Sequence, residues 1–266
     1  MERTYINEAQ KAIGSTVKVQ GFIENLRNSK YMAFIVLKDI TGKLQITVEK
    51  EDHPDLVDTI DKLTPDSVIT VTGKVMENDY VKMGGVEMIP ESIEIESIAN
   101  ALPIVRKEIA ATKKKKAVER SSIDQRIDYR WIDLRTDENQ LMFKAQSCFV
   151  NAMRKFLLDR NFIEIHTPKL IAAASESGSE VFKVDYFDRN AYLAQSPQFY
   201  KQMAMAAGFE RIFETGPVFR AEKSYTNKHA TEFSGFDLEF SYITSYKDVM
   251  LSLIHISEPT RPRLIS

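Results

Sequence analysis

The sequence predicts a small all-β barrel followed by an α+β domain with an antiparallel sheet. Three observations carry that prediction. Five short runs rich in β-branched and aromatic residues fill the first hundred positions, with one helix-period stretch between the third and the fourth. A polar, lysine-rich stretch without apolar period comes next. After it the pattern changes to an amphipathic helix and a set of strand-like runs, with no glycine-rich strand-to-helix turn of the dinucleotide or P-loop type.

In order, strands are expected at VKVQGFIE (17–24), YMAFIVLKD (31–39), KLQITVE (43–49), SVITVTGKVM (67–76) and VEMIPESIEI (86–95), with turns at Thr41-Gly42 and Met83-Gly84-Gly85. EDHPDLVDTIDKL (51–63) reads as the helix. Five strands with a helix after the third is the order of the OB-fold, a barrel whose face often binds single-stranded nucleic acid, although other small barrels share the pattern. Residues 1–105 are assigned to this domain, 106–135 to a linker or hinge, and 136–250 to the α+β domain. There, DENQLMFKAQSCFVNAMRKFLLDRN (137–161) carries the helical stripe Leu141, Phe149, Met153, Phe156 and Leu157, with Asp137 as the expected N-cap. Strand-like runs follow at 162–168, 191–196, 211–222 and 236–243, with a helix near 197–207.

Composition narrows the class of function. Of the 266 residues 43% are hydrophobic and 28% charged, which excludes a disordered chain and a membrane-embedded one. One cysteine, Cys148, and four scattered histidines (His53, His166, His229, His255) exclude a disulfide framework and a structural zinc site. The N-terminus is charged where a signal core would be apolar, so a cytoplasmic protein with no membrane partner is expected. The net charge of −2 is unevenly spread. Residues 1–100 hold 11 Lys+Arg against 17 Asp+Glu, net −6, whereas residues 101–134 hold 9 against 5, net +4, including Lys113 to Lys116. Such a run is ordinarily a solvated loop; beside a polyanion it would be a basic hinge.

Several segments carry more than a fold signal: RIDYRWIDLR (126–135), NFIEIHTPKLI (161–171), ESGSEVF (176–182), YLAQSPQFYKQ (192–202) and GPVFRAEKSYTNKHATEFSGFDLEFSYI (216–243). Together, in this order and behind an OB-like domain, they resemble the class II aminoacyl-tRNA synthetases, and among them the aspartyl-tRNA synthetases of archaeal and eukaryotic type, over roughly residues 12–250. The resemblance implies an OB-fold that binds the anticodon, a class II catalytic core, and an ATP- and Mg2+-dependent aspartate–tRNA ligase acting on L-aspartate and tRNA(Asp), with tRNA(Asn) as a further acceptor left open. It also implies a homodimer whose interface includes the strand ending at Pro168, with Asn161 standing where the family has glycine.

The residues of each site follow by match. Arg220 is implied to touch the ATP α-phosphate and the amino-acid carboxylate, Glu222 the adenine side, Phe233 to stack on adenine, and His229 and Lys228 to lie along the nucleotide. Without the family, Arg220 and Glu222 would read as a surface pair on a strand and Phe233 as a core aromatic. Aspartate is implied to be held by Glu176 at its ammonium and by Gln195, Gln198 and Lys201 of the QSPQ-x-x-K signature. An aspartate side chain needs a fixed cation in a dry pocket, although most helical lysines are solvated. Arg27, Phe34 and Gln45 match the anticodon-contacting positions; Phe34 in a strand could equally be core. No metal ligands are expected within these residues, and catalysis would be positioning and electrostatics with no protein nucleophile.

Residues 251–266, LSLIHISEPTRPRLIS, resemble translated sequencing adapter and are expected to be a non-native tail on an incomplete class II core, with the chain as written an inactive fragment. The rival readings are an asparagine– or lysine–tRNA ligase on the same architecture, against which Lys201 argues, and a non-catalytic nucleic-acid-binding relative of the synthetases.

Overall fold

The computed structural model describes residues 1–108, 118–173, 181–223, 226 and 229–250. The basic run Lys113 to Lys116 and the tail 251–266 lie outside them. The chain divides into two compact units, Met1–Asp133 and Leu134–Ser266.

The first unit is built on a short helix α1 (Ile6–Ala9) and strands β1 (Thr16–Asn28), β2 (Met32–Lys38) and β3 (Lys43–Glu49), then helix α2 (Val57–Lys62), β4 (Val68–Glu77) and β5 (Val86–Ser97). The strands close into a barrel in the order β1-β2-β3-β5-β4, as the OB-like pattern expects. The helix read over 51–63 is shorter: Pro54, which has no amide to donate, opens a 3-10 turn at Pro54–Leu56, and the α-helix starts only at Val57. Alternation decides the two faces. Ala33, Ile35 and Leu37 of β2 and Leu44, Ile46 and Val48 of β3 are fully buried and join Ile23, Ile69, Val71, Val75 and Met88 in one core. Gly21 lets β1 and β2 cross: a Cβ there would overlap the Lys38 carbonyl, close to where the register shifts between Ile23 and Asn25.

Asp39 ties α1 to the β2–β3 turn. Its carboxylate accepts the Ile6 amide at 2.9 Å, the Thr41 and Gly42 amides at 2.6 and 2.9 Å, and the Thr41 hydroxyl at 2.7 Å. Burial opposes the charge, but these donors outweigh it and hold the carboxyl below its ordinary value of 3.8. Arg106 makes a two-pronged pair with buried Asp66 at 2.9 and 2.6 Å, and Val105 and Ser121 bond to each other, so the chain returns to the barrel after residue 120. Two short helices, α3 (Ile123–Asp128) and α4 (Arg130–Asp133), occupy the end of the stretch read as a hinge. Their buried Asp133 is ringed by Arg130 at 3.1 Å and by Arg120 and Arg126, each at 3.6 Å.

The second unit begins with α5 (Asp137–Leu158), capped by Thr136 rather than Asp137, because Thr136 takes the extended conformation and its hydroxyl accepts the Asn139 amide. The stripe on α5 splits. Leu157 is buried with Met153 and Phe156 beside it, whereas Leu141 and Phe149 are 65% and 55% exposed. After α5, Asn161 turns the chain with φ +63, a left-handed conformation asparagine tolerates. Strands β6 (Ile163–Glu164), β7 (Leu170–Ile171), β8 (Lys183–Tyr186) and β9 (Arg189–Leu193), helix α6 (Gln198–Ala206), and strands β10 (Arg211–Phe219) and β11 (Glu232–Phe240) follow. They form two three-stranded sheets, β11-β10-β6 and β7-β9-β8, antiparallel except for the short β6–β10 pair. The run 162–168 keeps only two strand residues, because Thr167 gives its amide to Glu214 and Pro168 has none. The run 211–222 ends as a strand at Phe219. Phe213, Phe162 and Leu157 form the small core, with Phe213 stacked on Phe236 and Phe162 edge-on to Phe240. No helix among the described residues is long and apolar enough to cross a membrane.

Two outcomes test this description. Gly21→Ala should destabilise the barrel by about 1–3 kcal/mol, read as a lower urea midpoint for the first unit. The depressed Asp39 carboxyl means the unfolded chain takes up the proton first on acidification. The stability difference between the parent and Asp39→Asn should therefore be full above about pH 5 and shrink as pH falls through and below 3.8.

Candidate functional site

The β10–β11 hairpin sorts its residues by alternation. Phe236, Leu238 and Phe240 of β11 pack on the core with Phe213, so Phe233, Gly235, Asp237 and Glu239 share the opposite face. The register sets Val218 across from Phe233, Gly216 across from Gly235, Glu214 across from Asp237 and Ile212 across from Glu239. A pair of glycines thus separates an aromatic end from a charged end, roughly 13 Å apart along the strand, and Lys169 leans over it, its Cε 3.5 Å from where a Cβ of Gly216 would stand.

At the charged end stands Lys201, delivered by α6. It is 5% exposed and bonded to Asp237, with Glu239 at 3.1 Å. Burial works against its charge, but the hydrogen bonds and negative charges of Asp237 and Glu239 prevail and raise it above the ordinary lysine value. The plain reading of Lys201 as a solvated helical lysine therefore fails. Gln195 lies buried just before α6, Pro197 is the N-cap whose carbonyl accepts the Lys201 amide, and Gln198 is half-buried at the first helical position. Beside Asp237, Glu214 is 3% exposed and takes the Thr167 amide at 2.8 Å, the Thr167 hydroxyl at 2.7 Å and Lys169 Nζ at 2.9 Å. Each of the two facing carboxylates has its own lysine.

At the aromatic end the ladder continues one residue past β10, the Arg220 amide donating to the Thr231 carbonyl at 2.9 Å. Because the strand stops at Phe219, Arg220 and Glu222 do not share a strand face as the alternation had implied; Arg220 is half-buried and Glu222 exposed. The Arg220 guanidinium lies 5.6 Å from the centre of the Phe233 ring, and its buried Nε has no hydrogen-bond partner among the described residues. Phe233 is 39% exposed and outside the core, which disposes of its core reading. His229 Nδ1 meets the Thr226 hydroxyl at 2.7 Å, and its Nε2 stands 4.0 Å from Glu222. An open depression lined by Val181, Phe182, Ala221, Glu222, Lys223 and Thr231 adjoins this cluster. A partly exposed aromatic ring beside a half-buried guanidinium suits a base and a phosphate, so these residues fit a nucleotide. Among the described residues no three His, Cys, Asp or Glu side chains gather to hold a metal ion. Glu176 and Lys228 lie outside the described residues. The sequence reading missed Asp237 and Glu239, although the alternation in Phe236-Asp237-Leu238-Glu239-Phe240 puts both carboxylates on one face.

In the first unit, Arg27 of β1 pairs with Phe34 of β2, which pairs with Thr47 of β3; one step along, Val36 pairs with Gln45, which neighbours Glu87 of β5. Arg27, Phe34 and Gln45 all lie on the outer face, away from the buried Ala33, Ile35, Leu44 and Ile46. Phe34 is half-buried there and is not a core residue. Gln45 Nε2 donates to Thr47 Oγ1 at 3.1 Å and to Glu87 Oε2 at 3.3 Å, so the amide is held in one orientation.

Known proteins resemble both units. Residues 122–257 match the family model of class II tRNA synthetases (D, K and N), and residues 17–96 that of the OB-fold nucleic acid binding domain. The chain is 45% identical over 239 residues to an Aspartate–tRNA(Asp/Asn) ligase of Methanopyrus kandleri, covering 89% of this chain and 53% of that protein. It is 43% identical over 249 residues to an Aspartate–tRNA(Asp) ligase of Picrophilus torridus, covering 93% and 56%. The chain therefore spans about half the length of the curated relatives it matches. An asparaginyl-tRNA synthetase from Pyrococcus horikoshii complexed with asparaginyl-adenylate superposes with a TM-score of 0.84 at 28% identity, over 98% of this chain and 59% of that one. An aspartyl tRNA synthetase from Entamoeba histolytica gives 0.77 at 29%, over 97% and 54%.

The outward placement of Phe34 is directly testable. Phe34→Ala should change the barrel's stability by no more than about 1 kcal/mol, whereas Ile35→Ala should cost about 2–5 kcal/mol, both from urea unfolding.

Proposed function

The chain belongs to the class II tRNA synthetases (D, K and N), and from that membership we propose that it carries the aspartate-activating and anticodon-reading residues of an aspartate–tRNA ligase. One observation carries the choice of aspartate: a nearly dry lysine, Lys201, held charged between Asp237 and Glu239. The substrate brings two carboxylates and one ammonium. Its side-chain carboxylate pairs with Lys201, and its ammonium finds Asp237 and Glu239, which adds two residues to the matched Gln195, Gln198 and Glu176. Asparagine, with a neutral amide, would gain little from that lysine, and a lysine substrate would be repelled by it.

In the first step an oxygen of the aspartate α-carboxylate attacks the α-phosphorus of ATP, and the bond to the bridging β-phosphate oxygen breaks. Aspartyl-adenylate and pyrophosphate result. Arg220 orients the carboxylate and the α-phosphate with its planar fork, Phe233 stacks the adenine with Glu222 on the adenine side and His229 along the nucleotide, and the matched Lys228 is assigned to the triphosphate. In the second step a terminal hydroxyl of tRNA(Asp) attacks the activated carbonyl and AMP leaves. tRNA(Asn), named together with tRNA(Asp) for the Methanopyrus relative, is the second acceptor to assay. Magnesium would arrive on the nucleotide. The outer barrel face with Arg27, Phe34 and Gln45 reads the anticodon. A second copy of the chain covers the exposed apolar side chains of α5, Leu141, Phe143 and Phe149, to make a homodimer in the cytoplasm.

In a protein of the relatives' length that contains this segment, Lys201→Met should leave the fold intact and lower aspartate-dependent exchange of pyrophosphate into ATP by at least 100-fold, or about 2.7 kcal/mol. Activity within about tenfold of the parent would overturn the pocket assignment.

A further inference from the structure

The second charge pair of the hairpin face takes no part in the chemistry described above. Glu214 lies directly across from Asp237 in the β10–β11 register, which sets the two Cβ atoms about 5 Å apart. Two carboxylates so placed repel each other unless each is compensated. Lys201 compensates Asp237, and Lys169 compensates Glu214, its Nζ standing 2.9 Å from Glu214 Oε1 and 3.1 Å from the Thr167 hydroxyl. Burial opposes the charge of Glu214, yet the Thr167 amide, Lys169 and the Thr167 hydroxyl prevail and hold its carboxyl below the ordinary value of 4.5. Glu214 is thus a fixed negative charge on the strand beside the seat of Lys201. Lys169 is held by its backbone as well. Its carbonyl accepts the Ala194 amide at 2.9 Å, and the Ala194 carbonyl accepts the Phe219 amide at 2.9 Å, so the residue before Gln195 ties Lys169 to the end of β10.

At the charged end, the carboxylates of Glu214, Asp237 and Glu239 are met by Lys169 and Lys201. Without Lys169 these three carboxylates would stand against Lys201 alone, and an aspartate substrate would bring two more. We propose that Lys169 is a specificity-determining residue that acts through Glu214: it cancels a carboxylate beside the seat of Lys201 and so lets that seat accept an acidic side chain. This rests on the reading of Lys201 as the partner of the aspartate side chain, and deepens it from one lysine to two with divided tasks. Lys201 meets the substrate. Lys169 does not, because its Nζ is committed to Glu214 and Thr167. The effect is selective by charge, since an acidic side chain is repelled by an uncompensated Glu214 whereas the neutral amide of asparagine is not.

The test measures pyrophosphate exchange in a protein of the relatives' length that contains this segment, with asparagine as a competitive inhibitor. Lys169→Met should raise KM for aspartate about 10- to 100-fold, the effect of one unit charge acting across a strand spacing in a partly dry site. In the same variant kcat, KM for ATP and the inhibition constant of asparagine should stay within about threefold of the parent. Lys169→Arg, which keeps the charge, and the double variant Lys169→Met/Glu214→Gln, which removes both charges, should each return KM for aspartate to within about threefold of the parent. The double variant leaves no unpaired charge in the protein and decides the matter where Lys169→Met alone does not fold. A double variant whose KM is raised tenfold or more would mean that the lysine serves packing or touches the substrate, and would overturn the proposal. So would a Lys169→Met variant in which aspartate and asparagine weaken together, or one in which neither weakens. Lys201→Met is the control for the underlying reading: if it abolishes exchange while the Lys169 variants behave like the parent, only this inference fails, and if it leaves exchange within about tenfold, the pocket assignment falls and this inference with it.

Discussion

The two-residue period of a β-strand is the constraint on which both units depend. In β11 it sends Phe236, Leu238 and Phe240 into the core and leaves Phe233, Asp237 and Glu239 on the other side, so folding the sheet and furnishing the site are one event. In β2 and β3 it buries Ala33, Ile35, Leu37, Leu44, Ile46 and Val48 and leaves Phe34 and Gln45 on the outer face. A slip of one residue in either place would exchange the core with the working face.

The working face of the hairpin carries a dense set of charges at low exposure. Two carboxylates, Glu214 and Asp237, sit across from each other in the register, and each is matched by a lysine from a different segment. Lys169 comes from the stretch after Pro168 and Lys201 from α6, so the charge pairs bind two separate pieces of chain to one sheet. Removing Lys169 would leave the buried Glu214 uncompensated, which costs more than the pair itself contributes, whereas Asp237, 35% exposed, keeps access to water without Lys201. Glu214 in addition takes the Thr167 amide and hydroxyl and thereby fixes the path of the chain between β6 and β7. In the proposed reading the same charges that make this packing possible receive the zwitterionic substrate.

The barrel solves a different problem. Its first hundred residues repel a polyanion on balance, and its outer face offers an aromatic ring, an arginine and an amide in place of a basic patch. Orientation then matters more than charge. Glu87 collects the Gln45 amide, the Thr47 hydroxyl and the Asn78 amide, which holds Gln45 in a single pose and leaves its carbonyl oxygen free of that cluster. In the proposed reading a base edge is recognised by geometry, and a fixed amide is what this network supplies.

How much was legible in the sequence differs from element to element. The five barrel strands, the α5 helix and the QSPQ-x-x-K and Phe-Arg-Ala-Glu segments could be read because each is a local pattern of apolar period or residue spacing. The N-cap went to Thr136 instead of Asp137, and the helix over 51–63 shrank behind Pro54, because caps and breaks depend on single backbone angles that composition does not record. The run 162–168 lost most of its strand since Glu214, some fifty residues later, claims the amide of Thr167. Asp237 and Glu239 went unnoticed for a related reason: two acids in a strand look like a solvated edge until a lysine from another helix is buried against them. The sequence by itself determined which residues could be inside and which chemistry was at hand, because period and composition are properties of a segment. Only the tertiary structure decided that Lys201 meets two carboxylates and that Arg220 lies beside Phe233, because each of these is an approach between residues that no local pattern brings together.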